Sequence, residues 1–219
     1  MGEFVPALSR ETLEGYLNPA GRDGCVTPRV VETERRYAGY VTVERRTVEL
    51  DPDGPTVAFD VAGHPGAGWT AVYVVPWHTS PDGDDSVTLV SEYHQGAGRR
   101  MLGCVAGAFD PARHGDAEGA ARAEMSEEAR LAGGLMVPLM HSGARLPELK
   151  WSGNAVHPLL CLDPAPDPSP GAPDPEELGL TPVRVPVREL PGLFCSGALN
   201  GASVACLSLA MLAMRGRAG

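Results

Sequence analysis

The chain has 219 residues, 43% of them hydrophobic, a formal net charge of −10 and a pI near 5.0. That length and composition suit one domain with a sizeable core, and the acidic balance argues against nucleic-acid backbone as the main partner, because nothing neutralises a run of phosphates. Cys25, Cys104, Cys161, Cys195 and Cys206 are odd in number and lack C-x-x-C or Cys/His spacing, which argues against zinc; with no signal-peptide pattern they point to a reducing, cytoplasmic setting.

Residues 1–35 are weakly patterned, apart from a short helix expected over Ser9 to Leu17, capped by Ser9 and ended before Pro19. YVTVERRTVEL (40–50) reads as a strand, and after the DPDG turn TVAFDVA (56–62) reads as its hairpin partner. WTAVYVVPW (69–77) suits a central strand and SVTLVSEY (86–93) alternates as the next one. QGAGRRM (95–101) offers a Gly-rich turn followed by Arg99 and Arg100, which suit either a diphosphate contact or a plain strand connection. Strands are also expected at 135–143 and 156–162, then a proline-studded loop at 163–179, and an edge strand at 181–187. The chain closes with an Ala/Leu/Met helix from Ser196 to about Arg215, too short in its apolar stretch to span a membrane.

Between these strands lies an acidic helix. Ala, Glu, Arg and Met dominate 117–131, Asp116 is a plausible N-cap, and Gly133-Gly134 a plausible stop. Glu124, Glu127 and Glu128 stand at i, i+3 and i+4 and so share one face, with the small Ala117, Ala120 and Ala121 on or beside it. Close carboxylates repel, and burial sharpens the conflict. A hard divalent cation removes it, since Mg²⁺ is held by one or two carboxylates together with substrate phosphate oxygens. A solvated acidic strip is the alternative.

The stretch AEMSEEARL (123–131) resembles the Nudix signature G-x5-E-x7-R-E-U-x-E-E-x-G-U, with Glu124, Met125, Glu127, Glu128 and Leu131 in register. Glu92-Tyr93-His94 and LGCVAGAFD (102–110) are similar to the QYR and LELPAGLID runs of the branch that cleaves ADP-ribose and ADP-sugars, and SGALNGASVACLSLAMLAM is similar to its closing helix. The likeness covers roughly residues 40–215. It departs at Ala123 for the signature's Arg, Arg130 for its second Gly, Gly115 for its early Glu and Gly103 for an upstream Glu, and the loop from Gly107 to Asp116 is about two residues longer.

The resemblance implies an α/β Nudix fold, a mixed sheet sandwiched between helices, with an N-terminal antiparallel β extension. Residues 1–62 would form that extension and 63–219 the hydrolase-like domain. It further implies hydrolysis of the pyrophosphate bond of a nucleoside diphosphate derivative such as ADP-ribose or an ADP-sugar, dependent on Mg²⁺ or Mn²⁺. Glu124, Glu127 and Glu128 would carry catalysis and hold metal with the Ala106 carbonyl, and Arg99 and Arg100 would bind substrate. The N-terminal sheet would join two copies into a homodimer, bringing Arg45 and Arg46 near the nucleotide, although exposed strand charges are an equal reading of that pair. The same departures leave a second function open, a Nudix-fold nucleotide-binding or regulatory module that has lost hydrolysis. Between the 135–143 and 156–162 strands, where relatives carry an acidic catalytic loop, the nearest carboxylate is Glu148.

Overall fold

The computed structural model of the chain describes residues 8–17, 28–52, 54–64, 67–172 and 179–217; Cys25 and part of the proline-studded loop lie outside them. Helix α1 (Arg10–Leu17) forms where expected, with Ser9 Oγ accepting from the Thr12 N–H at 3.1 Å. The weakly patterned stretch that follows contains a strand that the sequence reading does not anticipate. β1 (Arg29–Ala38) pairs antiparallel with β2 (Thr42–Glu49), which pairs with β3 (Thr56–Gly63), so the expected hairpin is a three-stranded sheet. Every residue of β1 is exposed, so no apolar alternation marks it; cross-strand charges do instead, with Glu34 facing Arg45 and Arg35 facing Glu44.

The larger sheet has eight strands, with a path β10 (Leu146–Pro147), β11 (Ala155–Leu162), β4 (Thr70–His78), β5 (Ser86–His94) and β13 (Thr181–Pro186). β6 (Arg99–Gly103) pairs with β5, β7 (Val105–Ala108) with β4, and β9 (Leu135–Pro138) with β11. β4 and β11 run parallel and the other pairs antiparallel, so the sheet is mixed. β4 is central and β13 is an edge, as their residues predict.

Alternation along these strands serves two cores. Val75 and Trp77 of β4, Val87 and Leu89 of β5, and Leu160 and Leu162 of β11 pack with Cys206, Leu207, Ala210 and Ala213 of α5 (Gly201–Arg217). Val72 and Val74, Val90, and Leu159 and Cys161 pack with Ala120, Ala121, Met125 and Ala129 of α3 (Ala117–Ala129). The period of two turns successive side chains to opposite faces, so the sheet is covered by a helix on each side. No described helix is long and apolar enough to cross a membrane.

α3 starts as expected, with Asp116 Oδ1 accepting from the Gly119 N–H at 2.7 Å. It ends sooner than the glycine pair suggests. Arg130 already adopts φ 58°, ψ 37°, and its N–H reaches the Met125 carbonyl. A left-handed cap favours glycine, and an arginine there costs about 1 kcal/mol. The closing helix starts later than Ser196: a separate short helix, α4 (Leu190–Ser196), stops at Gly197 with φ 69°, and α5 begins at Gly201.

Candidate active site

α3 lies against β7 and β4, and its small residues let the backbones approach. Glu128 is 5% exposed, and its Oε2 accepts a hydrogen bond from the Ala106 N–H at 2.9 Å. Glu124, one turn earlier, lies over Gly107 so closely that any Cβ added there would collide with its carboxylate. The two acids therefore stand side by side above the β7 backbone.

Glu127 goes elsewhere. At about 100° per residue, Glu128 lies about 40° to one side of Glu124 and Glu127 about 60° to the other. That side of the helix is occupied by the proline-studded segment, where Gly171 packs against the Glu127 Cγ. Ser126 Oγ accepts from the Gly171 N–H at 2.9 Å and donates to Asp167 at 2.6 Å, while Arg130 Nη1 donates to the Gly171 carbonyl at 2.6 Å. The segment is thus fastened to the outer side of α3, and Arg130 serves it rather than a box carboxylate.

Glu124, Glu128 and Ala106 line a cleft of about 570 Å³ that also takes in Glu92 and Glu148. Glu148 is the residue the sequence reading underrates, because its loop matches no acidic motif. Its Oε2 accepts from Asn154 Nδ2 at 2.9 Å and Ser152 Oγ at 3.1 Å. Asn154 Oδ1 in turn accepts from the His64 N–H at 2.9 Å, just beyond β3. The loop is tied to the same strand by two further bonds, Ala62 N–H to the Trp151 carbonyl at 3.0 Å and Gly153 N–H to the Ala62 carbonyl at 2.8 Å. The small antiparallel sheet therefore holds the loop that carries Glu148.

Two aromatic groups complete the picture. Trp69 packs against Gly63 and Gly153, and neither position has room for a side chain beside the ring. Burial first, and the Glu148 carboxylate next, push the phenol of Tyr73, which lines the cleft, far above its ordinary value. His94 Nε2 is 3.3 Å from Glu92 Oε1, within ion-pair distance but without hydrogen-bond alignment.

None of the four arginines assigned to substrate lines the cleft. Arg45 makes a two-pronged pair with Asp60 at 2.9 and 3.2 Å, which raises the guanidinium and lowers the carboxyl. Arg46 donates to Glu44 at 3.0 Å and lies 5.2 Å from the centre of the Trp69 ring, behind the cleft wall. Arg99 donates to the Gly197 carbonyl, and Arg100 to the carbonyls of Ser91 and Gly179. Arg113 lines the cleft instead, from the elongated loop.

Among the described residues no group of three or more His, Cys, Asp or Glu side chains converges as a metal site. The donors present still fit Mg²⁺. It needs only one or two protein carboxylates and completes its shell with water and substrate oxygens; Glu124 sits where a Gly107 side chain would otherwise fill the space, and Glu128 lines the same cleft.

No family model matches the chain, and no curated protein matches its sequence. Among solved structures it is similar to one described as an ADP compounds hydrolase, at 22% identity and a TM-score of 0.70, covering 90% of this chain and 98% of that one. The likeness shows the fold: a larger mixed sheet flanked by helices beside a smaller antiparallel sheet, consistent with a Nudix-like fold.

Proposed function

We propose that the chain is a Nudix-type hydrolase that cleaves the diphosphate linkage of a nucleoside diphosphate derivative such as ADP-ribose or an ADP-sugar, with Mg²⁺ as cofactor. The observation that carries this reading is the pairing of Glu124 and Glu128 over Ala106 and Gly107, inside a cleft shared with Glu148. A cleft lined by four glutamates repels a diphosphate unless a cation intervenes. Glu124 and Glu128 would hold Mg²⁺, with the Ala106 carbonyl as a further donor. Bound there, the ion would supply counter-charge to the phosphate oxygens as the bond breaks.

The chain's own residues perform the remaining tasks. The Ala106 N–H fixes the orientation of the Glu128 carboxylate. Asn154 and Ser152 both bind Glu148 Oε2, leaving Oε1 to take the proton of an attacking water. Tyr40 and Tyr93, both exposed, offer ring faces on which a nucleobase can stack. The protein would act as a homodimer in the cytoplasm, joined through the β1–β3 sheet, where Val30, Val31, Tyr37 and Phe59 are exposed.

A binding module without hydrolysis is favoured by one feature, Ala123, which removes the arginine of the signature, while Arg130 is committed to Gly171. Assaying the purified protein with Mg²⁺ against a panel of nucleoside diphosphate derivatives separates the two. Turnover of at least one supports the hydrolase; binding with no turnover of any supports the module.

A further inference from the structure

The acidic cleft needs a cationic contact for its ligand, and the structure offers a specific one. Among the described residues that line it, Arg113 is the only Arg or Lys. It belongs to α2 (Pro111–His114), a single turn in the connection between β7 and α3, within the loop that is about two residues longer than the signature's.

That turn is well defined by local bonds. Asp110 Oδ1 accepts from the Ala112 N–H at 2.9 Å, and the Asp110 N–H donates to His114 Nδ1 at 3.1 Å. Pro111 fits the first helical position, and Gly115, at φ 75°, ends the turn in a conformation that favours glycine. Arg113 is thereby held at the cleft edge, exposed, with no ion pair to any described residue. Most other candidate arginines are engaged: Arg45, Arg46 and Arg122 by carboxylates, and Arg99, Arg100 and Arg130 by backbone carbonyls.

We propose that Arg113 binds the diphosphate of the ligand and so selects a doubly phosphorylated nucleoside over an uncharged one. The assignment rests on the hydrolase reading above. A planar guanidinium offers paired N–H donors that match phosphate oxygens, and on an exposed side chain it gives up little solvation before binding. Near four carboxylates it also offsets the repulsion that the ligand meets on approach.

The test is calorimetric binding, with Mg²⁺ present, of ADP-ribose (as its non-hydrolysable methylene-diphosphonate analogue) and of adenosine to the protein, its Arg113→Ala and Arg113→Lys variants, and Arg188→Ala as a control whose ion pair with Asp84 lies outside the cleft. Loss of a charge-assisted contact should weaken ADP-ribose about ten- to a hundredfold in Arg113→Ala. Adenosine affinity should stay unchanged, lysine should recover part of the loss, and Arg188→Ala should match the parent. ADP-ribose affinity within twofold of the parent in Arg113→Ala overturns the proposal, with the hydrolase reading intact. Equal losses for ADP-ribose and adenosine overturn it too, since they would trace to the shape of the turn. A parent that binds neither ADP-ribose nor any other nucleoside diphosphate overturns the hydrolase reading and the Arg113 assignment together.

Discussion

The Ala106 N–H donates to Glu128 Oε2 across 2.9 Å, joining a strand of the mixed sheet to a nearly buried carboxylate of α3. The bond gives Glu128 one orientation without the arginine that the signature places at residue 123. A glutamine retains the acceptor for that N–H but not the charge. Glu128→Gln should therefore fold normally and lose about 10²–10³-fold in hydrolysis rate. Mg²⁺ should raise the Tm of the parent more than that of the variant, as for a ligand of the folded state. Equal Mg²⁺ shifts in the two proteins would remove the metal site.

Gly107 leaves the space that Glu124 occupies. Its strand is held by register with β4, Gly107 opposite Val72, so the backbone cannot retreat easily. Gly107→Ala should push the Glu124 carboxylate aside and lower kcat by at least about tenfold, with little change in stability, because only the end of a flexible side chain has to move. Parent-like kinetics in the folded variant would show that Glu124 has no part in the reaction.

Asn154 connects Glu148 to the His64 backbone. Asn154→Ala frees the carboxylate and loosens the loop from the small sheet. Misplacing a reacting group by about 1 Å can cost about 10²-fold, so kcat should fall on that scale while KM changes little. Steady-state kinetics decide this: a rise in KM at constant kcat would make Asn154 a substrate contact instead.

The β1–β3 sheet exposes Val30, Val31, Tyr37 and Phe59, and exposed apolar surface of this kind suits an interface with a second copy. Sedimentation at micromolar concentration should give a species of twice 23.0 kDa. A monomer there would exclude the homodimer.

His78 is held neutral. Burial, and then Arg184, push it down to about 4, with Asp163 opposing weakly. An unfolded histidine titrates near 6.5, taken as about that value for the free chain. Between about 6.5 and about 4 the unfolded state therefore binds a proton that the folded state refuses, and stability falls as the pH drops through that window. Melting curves from pH 7 to pH 4 should show a smaller loss for His78→Gln than for the parent. Parallel curves would mean that His78 titrates normally.

The sequence determined whatever is governed by short-range periodicity and local chemistry. β-Rich apolar composition marked β4, alternation marked β5, Asp116 marked the start of α3, and the spacing of Glu124 and Glu128 put them on one helix face. β1 was illegible because an exposed strand carries no apolar pattern; pairing with β2 makes it a strand. Tertiary structure alone decided which side chains enter the cleft. Glu127 shares the helix with its neighbours, but Gly171, 44 residues on in the chain, packs on its side. Arg99 and Arg100 follow a glycine turn that suits phosphate, yet nearby carbonyls claim them. Glu148 comes to the cleft because Asn154 bridges it to His64, 90 residues away, and hydrogen bonds at such separation leave no periodic trace in the sequence.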